Sequence, residues 1–189
     1  DGELLAVVDA APELAGRKVR EFVPAAPEDL VVLPGLEDVT CWDVLDSATV
    51  TTSSDLDACM DTFRVLLKHR LCVVSSCEEL LYPWLRHPIH TAELHERAVR
   101  GRSHLIGTGV NPGFLMDTLP LALTAVCNEV TSVEAWRIQD ATTRRIPFQR
   151  KIGAGMDMAA FEAAAQAGTL RHVGLGESLH LLAHYLDFE

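Results

Sequence analysis

The sequence predicts an α/β protein built around a doubly wound parallel sheet. Short, continuous apolar runs are typical of strands that are covered on both faces, and such runs alternate here with segments of helical periodicity. The resulting order, strand–helix–strand–helix–strand, is the usual pattern of a doubly wound α/β domain. Gly and Pro then cluster near residues 108–113, which indicates a boundary to a second domain.

The amino-terminal part contributes the first strands. We expect a strand at Glu3–Asp9, an apolar run closed by an acid, and further strands at Val39–Trp42 and Ala48–Thr52 after an irregular charged stretch. The glycine-rich phosphate loop of a Rossmann sheet lies about 20 residues before the acid that ends its second strand. We therefore expect a Rossmann-type parallel sheet lacking its first β-α unit, in a fragment of a longer protein.

Periodicity predicts the rest of this domain. Apolar residues recur every three or four positions in Leu56–His69, which indicates a helix with one buried face. The run LCVVS predicts a strand at Leu71–Ser75, and a helix at Thr91–Arg100 and a strand at His104–Gly107 complete the order.

The sequence of the carboxyl-terminal part predicts a different order of helices and strands from that of the first domain. We expect a helix at Met116–Cys127, a strand at Thr131–Gln139, a polar loop at Asp140–Gly155, a helix at Met158–Ala167 and a last helix from Glu177. Residues 1–110 and 111–189 are accordingly predicted to form two domains.

Composition excludes several classes of protein. The 189 residues are 48% hydrophobic and 23% charged with a net charge of −11, so a disordered, collagen-like or disulfide-rich chain is excluded. The acidic balance argues against nucleic acid and anionic membranes as partners, and no apolar run approaches the ~18 residues of a membrane span. Five cysteines without C-x-x-C spacing favour reduced thiols and a cytoplasmic location.

Asp9, at the end of the first predicted strand, is a candidate cofactor-binding residue. In a Rossmann domain an acid at this position accepts hydrogen bonds from the adenosine ribose, but Asp is also common where strands simply end. An acid here favours NAD over NADP. Arg17, Lys18 and Arg20 follow closely and would offset this preference, so either cofactor, NAD or NADP, is compatible with the sequence.

Small hydroxylated residues follow two strands, at residues 51–54 and 75–77. Ligands of open α/β sheets bind outside the carboxyl ends of the strands, which makes Thr52, Ser53, Ser76 and Cys77 candidate cofactor contacts, although such residues are also ordinary in loops and helix caps. Glu78 and Glu79 follow at once. They are either acids capping a first helical turn or carboxylates placed to hold a cationic amine.

The segment GTGVNPGFLMD at residues 107–117 does not match G-x-G-x-x-G and is therefore not a displaced phosphate loop. It fits either a plain turn or a hinge between domains in which Asn111 hydrogen-bonds a ligand amide. The loop at residues 140–155 concentrates cations and is either a solvated loop or a clamp for a substrate carboxylate, for which Arg has bidentate geometry. His180 and His184 have a metal-compatible spacing, but only Glu177 stands near them as a third ligand, so no metal is expected.

Four segments together resemble a known family: VVSSCEELLYPW, GTGVNPGFLMD, DATTRRIPFQRKIGAG and HVGLGES. They are similar to the dihydrodipicolinate-reductase-like dehydrogenases, and more narrowly to the branch that contains 2,4-diaminopentanoate dehydrogenase and the native amine dehydrogenases. The resemblance implies an NAD(P)-binding Rossmann domain, an α+β substrate domain and reversible oxidative deamination of an amine to a ketone and ammonia.

The resemblance also implies site residues. Asp9 falls on the ribose-binding acid, Glu78 on the catalytic glutamate with Glu79 as the alternative, Asn111 on the interdomain cofactor and substrate segment, and Phe114 on the pocket wall. A carboxylate of the substrate would be bound by Arg144 or Arg145.

The stretch EAWRIQDATTRR lacks the His-His pair of true dihydrodipicolinate reductases, which favours the amine branch. An imine reductase and a non-catalytic dinucleotide-binding protein are the alternatives. The partners implied are a small amine or ketone and further copies of the chain, as a homodimer or larger assembly.

Overall fold

The computed structural model of the chain describes residues 2–144, 146–170 and 173–188. It is a mixed α/β structure with parallel sheets. The chain divides into two compact units. The first comprises Asp1–Val50, Ala58–Val74 and Ile89–Leu105, and the second comprises Thr51–Asp57, Ser75–Pro88 and Ile106–Glu189. The domain boundary expected at residue 110 stays a prediction.

A small parallel sheet lies in the first unit. Strand β1 (Val7–Val8) pairs with β2 (Val32–Leu33), with Val7 opposite Val32 and Val8 opposite Leu33. The predicted first strand is therefore confirmed but is only two residues long, and β2 lies in the stretch expected to be irregular. Val32 also belongs to a local apolar core with Val19 and Ala26. Because β2 has only two residues, no alternation marked it in the sequence.

The larger sheet has three strands in the order β3-β4-β5, and two helices connect them. These elements are β3 (Ser47–Val50), α1 (Leu56–Lys68), β4 (Cys72–Ser75), α2 (Pro88–Gly101) and β5 (Leu105–Gly107). The amide of Val73 donates to His104 O at 2.7 Å, and the amide of Thr108 donates to Ser75 O at 2.8 Å. The two bonds advance along both strands in the same direction, so β4 and β5 are parallel, and the predicted strand–helix order is confirmed.

Helix α1 buries the face that its periodicity predicts. The buried residues recur at three- and four-residue intervals and are Leu56, Cys59, Met60, Phe63, Leu66 and Leu67. Arg64 on this helix binds Glu93 on α2 through two hydrogen bonds of 2.8 Å each. The bidentate pair ties the two connecting helices together.

Two predicted strands are wrong. Val39–Trp42 lies between two turns of 3-10 helix, Leu36–Asp38 and Trp42–Val44, and Val39 is buried as a single apolar contact rather than as part of a ladder. In the segment predicted as a strand at Thr131–Gln139, burial does alternate, with Val133 and Ala135 half-buried. However, no strand is assigned there, because a strand needs hydrogen-bonded neighbours and this segment has no ladder among the residues that the structure describes.

Four helices follow in the second unit: α3 (Thr118–Thr124), α4 (Ile146–Lys151), α5 (Met158–Gln166) and α6 (Leu175–Leu186). Helix α3 is shorter than predicted, because Asp117 caps its amino terminus. Helix α4 occupies part of the expected polar loop. Of the helices in the described part of the chain, none has the length and apolar character needed to cross a membrane.

Candidate active site

An open cleft of about 370 Å³ lies within the second unit. Its walls are formed by residues that follow β3, β4 and β5 in the chain, together with two arginines: Thr51, Thr52, Ser53, Ser54, Ser76, Glu78, Gly109, Val110, Asn111, Pro112, Arg137 and Arg144. The carboxyl ends of parallel strands are where open α/β sheets bind their ligands. The cleft therefore stands where the sequence placed the functional site.

Most of the predicted hydroxyl residues line this cleft. Thr52, Ser53 and Ser76 are lining residues, whereas Cys77 is not. Cys77 is buried; its amide donates to Ser75 Oγ at 3.1 Å and its thiol donates to Ser54 O at 3.4 Å. The thiol thus joins the two hydroxylated tracts to each other, which is a structural role.

The two neighbouring glutamates have different surroundings, although both lie in the short 3-10 turn Glu78–Leu80. Glu79 Oε2 accepts a hydrogen bond from the amide of Leu56 at 2.9 Å and lies 3.3 Å from His87 Nε2. Glu79 therefore caps the amino terminus of α1, where an anion is favoured by the helix dipole. It is not a lining residue of the cleft.

Glu78 lines the cleft instead. Its Oε2 is buried and accepts no hydrogen bond within the described residues, and the Nζ of Lys151 lies 4.0 Å from it. A buried carboxylate oxygen without a donor is costly. It is therefore the atom of this cleft that gains most from a ligand that donates a hydrogen bond.

The loop at residues 109–113 is packed closely enough to depend on glycine. Gly113 has a φ of +120°, and a Cβ there would overlap the backbone at Thr108 and Gly109. Pro112 is buried, and a Cβ on Gly174 would overlap its ring. These contacts hold the wall that carries Asn111, one of the lining residues.

Two guanidinium groups make this part of an acidic chain cationic. Arg144 was expected in the site and lines the cleft, with its guanidinium 4.8 Å from the centre of the Phe148 ring. Arg137 was not expected. The sequence signal that could have found it is its position two residues after Ala135 and four after Val133, which puts it on the same side of an extended segment. Arg145 lies outside the described residues.

Other candidates are not among the lining residues of the cleft. Asp9 belongs to the first unit; it is exposed, and its Oδ1 accepts a hydrogen bond from the amide of Ala11 at 2.8 Å. Of the cations that follow it, Arg17 binds Glu21 at 2.6 Å. Phe114 is 47% exposed and does not line the cleft.

His180 and His184 lie beside the ring of Tyr82, with ring centres 6.2 and 5.8 Å from it. Among the described residues, no three His, Cys, Asp or Glu side chains come together in a group that could hold a metal ion.

Comparison with known proteins finds similarity to one family. Residues 114–189 match the family described as the 2,4-diaminopentanoate dehydrogenase C-terminal domain. The chain is also 29% identical over 167 residues to 2,4-diaminopentanoate dehydrogenase of Acetoanaerobium sticklandii, covering 88% of this chain and 47% of that protein. The predicted resemblance is confirmed. The chain is similar to the 2,4-diaminopentanoate dehydrogenase family and spans about half the length of this relative.

A solved structure supports the fold of this 2,4-diaminopentanoate dehydrogenase-like chain. The amine dehydrogenase from Mycobacterium smegmatis superposes with a TM-score of 0.71 and 18% sequence identity, covering 96% of this chain and 54% of that one. Identity this low is informative about the fold alone. The predicted mixed α/β architecture is therefore confirmed at that level.

Proposed function

We propose that the chain is part of an NAD(P)-dependent oxidoreductase that acts on the C–N bond of an amine or a diamino acid, by reversible oxidative deamination. The observation that carries this proposal is the contrast between the two glutamates. Glu79 is occupied in capping α1, whereas Glu78 presents to the cleft a buried oxygen that accepts no hydrogen bond within the described residues. The similarity to a dehydrogenase family supports the proposed class of reaction, an oxidation that depends on NAD(P).

The cleft residues fit a nicotinamide cofactor. Hydroxyls of Thr52, Ser53 and Ser76 and the side-chain amide of Asn111 line the cleft, and they match the hydroxyl, phosphate and amide groups of a dinucleotide. When bound, NAD(P)⁺ would supply the acceptor for hydride from the carbon that bears the nitrogen. Cys77 supports the hydroxylated tracts from within, and Asp9 stays the predicted contact of the ribose hydroxyls.

Glu78 is the group that handles nitrogen and protons. Its carboxylate binds the ammonium of the substrate, where Oε2, which has no hydrogen-bond donor of its own, gains a charge-assisted hydrogen bond. Glu78 takes one proton from this ammonium and passes it to solvent, so that the neutral amine can give up its hydride and become an iminium ion. Glu78 then accepts a proton from the water that attacks the iminium carbon and returns it to the departing nitrogen; the remaining hydroxyl proton is lost to solvent as the ketone forms and ammonia leaves.

The charges of the cleft also indicate the substrate. Arg137 and Arg144 bring two guanidinium groups to a cleft that contains one carboxylate, and guanidinium is the side chain best shaped to bind a carboxylate in bidentate fashion. We therefore propose that the substrate carries a carboxylate as well as an amine. The roles of Arg145 and Phe114 in binding it stay predictions from the sequence.

The test compares Glu78→Gln with Glu79→Gln in the full-length protein. NAD(P)H oxidation is measured with ketones, with and without a carboxylate, in the presence and absence of ammonia. Glu78→Gln should retain NADH or NADPH binding but lose turnover by about 10² to 10⁴-fold, the range for a general acid–base. Glu79→Gln should lower the melting temperature and leave most of the turnover.

Three results would contradict the proposal. Turnover at the wild-type rate in Glu78→Gln would show that Glu78 is not a catalytic residue. Ammonia-independent reduction of a cyclic imine indicates an imine reductase instead. Tight NAD(P)H binding without turnover of any ketone or imine indicates a non-catalytic dinucleotide-binding protein.

A further inference from the structure

A second carboxylate next to the cleft is fully buried and fully hydrogen-bonded. Asp117 has no exposed surface. Its Oδ2 accepts hydrogen bonds from the amide of Gly113 at 2.8 Å and from Ser178 Oγ at 2.7 Å. Its Oδ1 accepts from the amide of Thr118 at 2.5 Å and from Thr118 Oγ1 at 3.0 Å. Burying a carboxylate is costly unless its oxygens are paired in this way.

Helix capping accounts for only half of these contacts. Oδ1 caps α3 through Thr118, as the exposed Asp157 caps α5 by accepting from the amide of Ala160 at 2.8 Å. Oδ2 instead bonds the cleft loop through Gly113 and helix α6 through Ser178. A cap alone needs neither burial nor the second oxygen, so the burial of Asp117 requires another explanation.

Asp117 joins the loop at residues 109–113, which forms the wall of the cleft that carries Asn111 (the Asn111 wall), to helix α6, against which this loop packs. Gly113 ends the loop that lines the cleft with Asn111 and Pro112. The ring of Pro112 fits against Gly174, the residue before α6, where a Cβ would overlap it. Ser178, 3% exposed, lies on the next turn of the same helix. The loop therefore contacts α6 twice, once through packing and once through the Asp117 carboxylate.

We propose that Asp117 is a positioning residue, which fixes the Asn111 amide in the cleft by holding the Gly113 amide against helix α6. The role of Asn111 rests on the function proposed above. A loop that carries a ligand-binding amide loses affinity and rate when it moves by as little as 1 Å. Asp117 limits that motion because its Oδ2 is bonded both to the loop, through the Gly113 amide, and to helix α6, through Ser178 Oγ.

Asp117→Asn separates the two roles of the side chain. Its amide oxygen can still cap α3 through Thr118, but the NH₂ group that replaces Oδ2 cannot accept from the Gly113 amide. Asp157→Asn is the matched control, because Asn caps as well as Asp and this residue does not line the cleft. Ser178→Ala is a milder second variant, which keeps the carboxylate and removes only the α6 hydroxyl.

Hydrogen exchange is the first measurement. We expect exchange of the Gly113 amide, and of the Leu115 amide that donates to Val110 O, to accelerate at least tenfold in Asp117→Asn, less in Ser178→Ala and not in Asp157→Asn. This measurement does not depend on activity. Absence of turnover in the wild type would thus refute the proposed function alone, and unchanged exchange in Asp117→Asn and Ser178→Ala would refute the positioning role. If Asp117→Asn does not fold, exchange in Ser178→Ala decides the question.

Turnover supplies the second measurement. Asp117→Asn should lower kcat/KM about tenfold or more, and this loss should largely disappear in an Asn111→Ala background, since residues that act through one another are not additive. Asp117→Asn should still lower the melting temperature in the Asn111→Ala background. Fully additive effects on kcat/KM would show that Asp117 does not act through Asn111 and would overturn the proposal.

Discussion

Replacing Gly113 by alanine measures how tightly the Asn111 wall of the cleft is packed. The φ of +120° at Gly113 is a conformation that residues with a Cβ rarely adopt, and forcing an L-residue into left-handed space costs roughly 1–2 kcal/mol. In addition, the new Cβ would stand 2.7 Å from the carbonyl carbon of Thr108 and closer still to the amide nitrogen of Gly109. Both are backbone atoms, so no side chain can rotate away, and the loop would have to move by about 1 Å to reach ordinary contact.

The expected loss is therefore the conformational cost plus the cost of distorting the loop, at least about 3 kcal/mol in total. Gly168→Ala is the matched control, because Gly168 also has a positive φ, +66°, but nothing lies within 4 Å of its Cβ position. We expect it to lose only about 1 kcal/mol. Urea unfolding followed by far-ultraviolet circular dichroism gives the free energies of both variants. Equal losses would show that only the backbone angle requires glycine at position 113 and that the loop is not tightly packed.

Two further predictions concern charge. The Arg64 guanidinium hydrogen-bonds Glu93 and, with Arg97, lowers the pKa of Glu93 from 4.5 to about 2; a lowered folded pKa means that the pair stabilises the protein above pH 4.5 and loses this effect as the pH falls toward 2. The unfolding free energy of Glu93→Gln should thus lie about 1 kcal/mol below wild type at pH 7 and converge with it near pH 2, and a difference that is independent of pH would contradict this. Asp9→Ser can still accept from the Ala11 amide but loses the negative charge, so fluorescence titrations should show NADH binding weakened several-fold relative to NADPH; an unchanged ratio would argue against the ribose contact.

The sequence predicted the fold where the relevant interactions are local. The periodicity of Leu56–His69 marks a buried face that α1 does bury, and the runs at β3, β4 and β5 are continuous enough to be identified as strands. The sequence-based prediction failed for two segments in which strand formation depends on pairing with another strand. Val39–Trp42 and Thr131–Gln139 carry apolar residues that are typical of strands, yet pairing depends on neighbours that are distant in sequence.

The candidate site shows the same division. Sequence alone determined that hydroxyls and a carboxylate follow the strand ends and that cations are concentrated in the loop at residues 140–155, and Thr52, Ser53, Ser76, Glu78, Asn111 and Arg144 do line one cleft.

Only the tertiary structure separated Glu78 from Glu79, because the hydrogen bond that occupies Glu79 comes from the amide of Leu56, 23 residues away. It also brought Arg137 into the cleft and Ser178 to Asp117, 61 residues apart. Local sequence sets which conformations and charges are available, whereas the partners that satisfy a buried polar group are chosen when distant segments pack.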